Sequence, residues 1–409
     1  MNNSYSRNSF YFLGCSLVLS CFFLLGANLR HAAGLTYALL LVISIGFLSQ
    51  IKNVRLEPED KWILGAVGFL FLAALGSSIA NGWNENSTKG LGVQLRYLAF
   101  IPIYLMFRAL PGLGRVSWWA LVLGAFLLMI QSLNEVYLQG ADRAGGVYNS
   151  PGYVALWATH SGLIFLCAIL KPNIIKIPRT VVLLGFSSSM ASLLLSGSRS
   201  TYFAIFVSTA FVFILRETTQ TKRVVLLLFI SLVVGVSINE IGLRQTSSAL
   251  SEIYILVNEA HNSVGSVGQR IDMWRASILL FLDNPIWGVG WRNFSAQASS
   301  YVQTENYHQI VAWTPHPHSA YFNALATGGL VGLVAFLSFF LVPYKIARAA
   351  DENDSGWILT IKTFITFFAA NAIFEGGLLI YNNTSSFILL LMAVLFASMI
   401  NERCESRPR

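Results

Sequence analysis

Apolar runs of roughly 17 to 23 residues recur along the whole of this chain, the length a helix needs to cross a hydrocarbon core about 30 Å thick. No water is present at that depth to satisfy backbone groups, so such runs must be helices rather than open sheet. Charged residues make up only 11% of the 409, against about a quarter in ordinary soluble domains, which excludes a water-soluble globule. An all-α integral membrane protein follows.

Twelve spans are expected, at 10–29, 33–49, 62–80, 91–108, 117–138, 152–170, 179–196, 200–215, 223–238, 321–342, 357–374 and 383–400. The first resembles a secretory signal in composition, but more spans follow it and no Ala-x-Ala cleavage site does, so it reads as an anchor. The even number places both termini on one side, and the basic residues choose the side. With the termini in the cytoplasm, seventeen Lys and Arg lie in cytoplasmic segments and only four, Arg30, Lys89, Arg143 and Arg199, in the short loops opposite. The long segment near 239–320 is thereby placed outside the cytoplasm. The formal charge of +8 is mostly a topology signal, and no nucleic-acid partner is expected. Cys15, Cys21, Cys167 and Cys404 are scattered and read as packing residues.

Three regions follow: 1–238 with spans one to nine, 239–320 as a large outer loop, and 321–409 with the last three spans and a short tail. The loop is not a linker. Leu250, Ile253, Tyr254 and Val257 repeat at helical spacing behind Ser247 or Ser248. A second helix is expected from Val267 to Leu282, stopped by Asp283-Asn284-Pro285, with Arg270 and Trp274 on one face. Residues 284–290 then read as a Gly-rich turn, and Gly329 and Gly332 as the place where the loop re-enters the membrane.

The chemistry-bearing stretch is Trp313-Thr-Pro-His-Pro-His-Ser319, where two of the six histidines stand at a membrane edge beside a chain break. A neutral imidazole is a base near neutral pH. A structural loop and a metal site are the competing readings. Against a metal, no third ligand stands at a recognised spacing, so neither metal nor cofactor is expected. Arg199, in the short break Ser196-Gly-Ser-Arg-Ser-Thr201, is either a snorkelling charge or a fixed cation for a lipid-linked phosphate. Arg270 is either a surface helix charge or part of the same site. Arg143 is similar, and Arg96, inside a span, is a weaker candidate. A diphosphate leaving group needs cations but no general acid, and an acceptor hydroxyl needs a base. Two arginines and a histidine therefore suffice for glycosyl transfer from a polyprenyl-diphosphate donor. No carboxylate stands out as a nucleophile, which favours single displacement with inversion.

Several elements stand in order along the chain: Ser198-Arg199-Ser200, Gly268-Gln-Arg-x-x-x-Trp274, Asn284-Pro-x-x-Gly-x-Gly290 with Phe294, and His316-x-His318-Ser-x-Tyr321 followed by Gly329-x-x-Gly332. In this order and topology the sequence resembles the O-antigen ligase and O-antigen polymerase superfamily of bacterial inner-membrane glycosyltransferases, most of all its lipid A-core ligases. Members often carry Asn where this chain has Ser319.

The resemblance implies a GT-C-like, metal-independent transferase that moves O-antigen from undecaprenyl diphosphate to the lipid A-core oligosaccharide at the periplasmic face of the inner membrane. Carried over by residue, it implies that Arg199 and Arg270 bind the diphosphate and that His318 is the general base. His316, Arg143, Arg96, Trp274 and Tyr321 are expected in support. A polymerase joining lipid-linked repeats is the alternative, and protein-glycosylating relatives carry a further C-terminal domain where this chain stops soon after its last span. A transporter or flippase is a distant third, with no inverted repeat to support it.

Overall fold

The computed structural model describes residues 2–51, 54–113, 117–171, 174, 177–215, 265–305, 307–350 and 357–406. Long helices dominate: α1 Asn2–Leu25, α2 Ala32–Gly46, α3 Pro58–Ala80, α4 Glu85–Ala109, α5 Trp118–Leu133, α6 Pro151–Leu170, α7 Arg179–Ser196 and α8 Arg199–Leu215. After the undescribed segment come α9 Gly265–Asp283, α10 Phe294–Thr304, the short α11 Ile310–Trp313, α12 Ala320–Ala349, α13 Trp357–Asn371, the short α14 Gly377–Ile380 and α15 Asn382–Ser406. No strand occurs among the described residues. Seven of the helices are long and apolar enough to cross a bilayer, and three more apolar helices are shorter. The chain is an all-α, multi-pass membrane protein. The span expected at 223–238 and the helix expected around 247–257 lie outside the described residues.

A helix that is apolar all round is buried, either among other helices or in lipid. Helix α6 and the apolar middle of α15 are enclosed by other helices along most of their length. They meet through Trp157 and Phe387, with ring centroids 4.0 Å apart, and Phe22 of α1 closes the cluster at 5.4 Å from Trp157. At one end of the bundle, Asp60 accepts from Arg108 Nε at 2.8 Å and from the Tyr104 hydroxyl at 2.6 Å, while Arg403 Nη1 donates to Glu59 at 3.0 Å. These pairs tie the start of α3 to the ends of α4 and α15. A buried carboxylate stays ionised only with such partners.

The opposite end is organised by a break in α12. This helix begins at Ala320, capped by Ser319, so Gly329 marks a break within helical chain rather than the start of the helix. At Gly329 the backbone turns to φ 61°, ψ −154°, a conformation open only to glycine. Breaking the helix frees backbone groups, and the turn after α9 satisfies them. Val289 N donates to Ala326 O at 2.9 Å, Leu330 N to Pro285 O at 2.8 Å, and Ser77 Oγ of α3 to Thr327 O at 2.6 Å. The Asn284–Gly290 motif is therefore the partner of the break, 40 residues away in sequence. A Cβ on Gly329 would stand 2.5 Å from the Ile286 carbonyl carbon, against backbone that cannot swing aside. Gly329→Val is expected to lower stability by at least about 3 kcal/mol, read as a fall in the detergent-solubilised melting temperature. An unchanged melting temperature would remove this account of the motif.

Candidate active site

The site is built where α9, the 314–319 loop and the turn between α13 and α14 meet. Trp274 fixes the approach of α9: its indole Nε1 donates to Pro317 O at 3.0 Å, and its ring stacks on Phe322 at 5.1 Å. One turn earlier on the same face stands Arg270, whose charge acts on both His318 and Glu375. Another turn earlier, Ser266 accepts from Arg199 Nη2 at 2.6 Å, so the head of α8 is joined to the head of α9. Arg199, Arg270 and His318, far apart in sequence, thus occupy one end of the bundle.

The histidine loop is rigid. Ala320 N donates to Ala372 O at 2.9 Å, and Ser319 Oγ donates to the same oxygen at 3.3 Å, pinning the loop to the end of α13. His318 itself takes a positive φ of 49°, a strained choice for a residue with a side chain. Its backbone N donates to His316 Nδ1 at 3.1 Å. That leaves the proton of the neutral His316 ring on Nε2, which faces the Tyr381 hydroxyl at 3.1 Å. The Tyr381 oxygen therefore accepts from His316 and keeps its own proton for a partner in the cavity. His316 is 1% exposed and packs so closely on Gly376 that a Cβ there would stand 2.5 Å from Nδ1. It acts as a scaffold for His318 and Tyr381.

A cavity of about 730 Å³ opens beside this loop, lined by His318, Glu375, Tyr381, Tyr148, His31 and Arg96 among others. Burial, and next the Arg270 guanidinium, push the His318 imidazole down to about 4, so it is neutral at pH 7 and free to accept a proton. Burial, then His318 and Arg292, push His316 down to about 3. Burial raises the Glu375 carboxyl, opposed by Arg270 and by the backbone amides of Gly377 and Gly376. One carboxylate oxygen accepts from Gly377 N at 3.1 Å. Tyr381 is raised by burial and by Glu375, and stays a phenol. Among the described residues no group of three His, Cys, Asp or Glu is arranged to hold a metal ion.

The remaining residues singled out in the sequence take other places. Arg143 is exposed and off the cavity wall, although Tyr148 and Ser150 of the same segment line it. The Tyr321 hydroxyl donates to Ala369 O at 3.0 Å, and its ring lines an apolar groove shared by α8, α12 and α13. Arg96 lines the cavity from the middle of α4. Glu375, Tyr381, Tyr148 and His31 escaped the sequence reading. The one available signal was Glu375-Gly-Gly377, an acid beside two glycines in the break between two apolar runs.

Residues 182–337 match a family model, Wzy_C, described as O-antigen ligase. The matched stretch holds Arg199, Arg270, His316, His318 and the α12 break, while Arg96, Tyr148, Glu375 and Tyr381 lie outside it. The chain is also similar to an uncharacterized protein of Haemophilus influenzae, 23% identical over 353 residues that cover 83% of this chain and 86% of that one.

Proposed function

We propose, on the premise that this chain belongs to the O-antigen ligase superfamily whose family model it matches over residues 182–337, that it is a ligase of lipopolysaccharide assembly. It transfers O-antigen from undecaprenyl diphosphate to a hydroxyl of the lipid A-core oligosaccharide, at the periplasmic face of the inner membrane. The observation that carries this reading is a neutral histidine, His318, on the wall of a large cavity and within the field of the Arg270 guanidinium.

The step is a single displacement. The bond from the anomeric carbon to the diphosphate oxygen breaks, and both electrons leave with the diphosphate. Arg199 and Arg270 offset the charge that grows there. The acceptor oxygen attacks from the other face, and its proton passes to the His318 imidazole. Tyr381 offers a hydrogen bond from its phenol to a sugar oxygen, and His316 keeps both groups in position.

The test is transfer by the purified protein in proteoliposomes holding lipid-linked O-antigen and core-lipid A. Glycan should become covalently joined to core-lipid A. Lengthened lipid-linked glycan formed without any core acceptor would make the enzyme a polymerase, and movement of glycan across the bilayer with no covalent product would make it a transporter. Either result sinks the ligase reading.

A further inference from the structure

The cavity continues past His318 to a cation that the transfer step leaves unused. Arg96 lines it from the middle of α4, a helix long and apolar enough to cross a bilayer, where a charge is costly and is retained for a partner or an aqueous path. Neutral groups hold the guanidinium in place: Nε donates to Ser386 Oγ at 3.1 Å and Nη1 to Gly92 O at 2.9 Å. Among the described residues no carboxylate is within ion-pair distance of it, and Glu375 on the same wall lies in the field of Arg270 instead. Ser386 lies in the first turns of α15, the helix that Tyr381 leads into. Arg96 is therefore the arginine of the cavity wall, separate from Arg199 and Arg270, which stand at the heads of α8 and α9 and do not line it.

The wall near Arg96 is suited to a sugar. Tyr148 accepts at its hydroxyl from His31 N and Asn383 Nδ2, and Tyr153 donates its own to Gly26 O at 2.6 Å, so both rings are fixed in the cavity wall. Aromatic faces beside side-chain amides accommodate a ring that is apolar on its faces and polar at its edges. A planar arginine fork matches phosphate oxygens.

Resting on the transferase reading, we propose that the acceptor is a phosphorylated glycan, whose sugar phosphate is held by Arg96 while a hydroxyl of the same acceptor reaches His318. Arg96 then selects the acceptor and takes no part in donor binding.

Binding of glucose 6-phosphate to the full-length protein, in detergent free of phospholipid, tests this without any transfer step. Saturation-transfer NMR is expected to detect the sugar phosphate on the wild type, and Arg96→Met is expected to weaken it by roughly tenfold or more. Arg96→Lys and Ser386→Ala, which keep a positive charge while disturbing the fork, are expected to weaken it severalfold and supply the answer should Arg96→Met not fold. Equal binding by the wild type and these variants overturns the proposal. So does displacement by geranyl diphosphate, which would assign the anion to the donor site. Binding of inorganic phosphate as tight as that of glucose 6-phosphate would show a bare anion site and overturn it too. An Arg96-dependent affinity for phosphatidylglycerol with none for the sugar phosphate would identify a lipid headgroup contact instead. In the transfer assay, phosphatase treatment of the acceptor should slow the wild type and leave Arg96→Met unaffected. Loss of all transfer with the binding result intact would count against the ligase reading alone.

Discussion

His318→Ala is expected to lower the transfer rate by about two to four orders of magnitude, the usual worth of a positioned base. The protein should still fold and still bind its donor. The expectation follows from where the two histidines stand. His318 is held by its backbone and by Pro317, whose carbonyl accepts from Trp274, and its ring opens on the cavity. Removing that ring deletes the proton acceptor and little packing. His316→Ala should behave differently. It empties a buried space beside Gly376 and releases both the His318 backbone and the Tyr381 hydroxyl, so melting temperature falls together with rate. A steady-state rate and a melting curve for each variant separate the roles. More than about a tenth of wild-type rate in His318→Ala would exclude it as the base, given the factor a base supplies.

The membrane helices were legible because lipid imposes one simple rule on composition, and the run lengths follow from bilayer thickness. The face shared by Arg270 and Trp274 was legible for a similar reason, since helical spacing alone puts positions four apart side by side. The α12 break was not. Gly329 looks like a loop glycine until the 285–289 turn is seen to satisfy the backbone it frees, and nothing local in the sequence announces that partner. Glu375 was hidden for the same kind of reason. At the end of an apolar run it reads as the edge of a span, and its meaning comes from Arg270 and His318, more than fifty residues away. Arg96 was visible as a charge inside a span, but the cavity it lines is formed by α2, α4, α6 and α15 together. Contacts of this range are set by packing, which pattern and spacing do not encode.

The pH dependence should report the coupling between donor and base. The active form of His318 is the neutral imidazole, so lowering its pKa extends activity toward acid and raising it cuts activity off earlier. In the free enzyme, burial and then Arg270 hold the group near about 4, and kcat/KM reports that state. A diphosphate esterified at both ends keeps its charges over this range and offsets Arg270 once bound. One of the two causes of the depression is then removed while burial persists. The acid limb of kcat, which reports the bound complex, should therefore lie above that of kcat/KM, between about 4 and the ordinary imidazole value of about 6.5. Arg270→Met removes the guanidinium in both states. Its kcat/KM limb should rise, the gap between the two limbs should close, and kcat/KM at neutral pH should fall by about 10²–10³-fold through loss of leaving-group stabilisation. Coincident limbs in the wild type, or a downward move in Arg270→Met, would show that Arg270 does not govern His318. A gap that closes only in the variant ties donor binding to activation of the base: the same charge that receives the diphosphate keeps the imidazole weak until the diphosphate arrives.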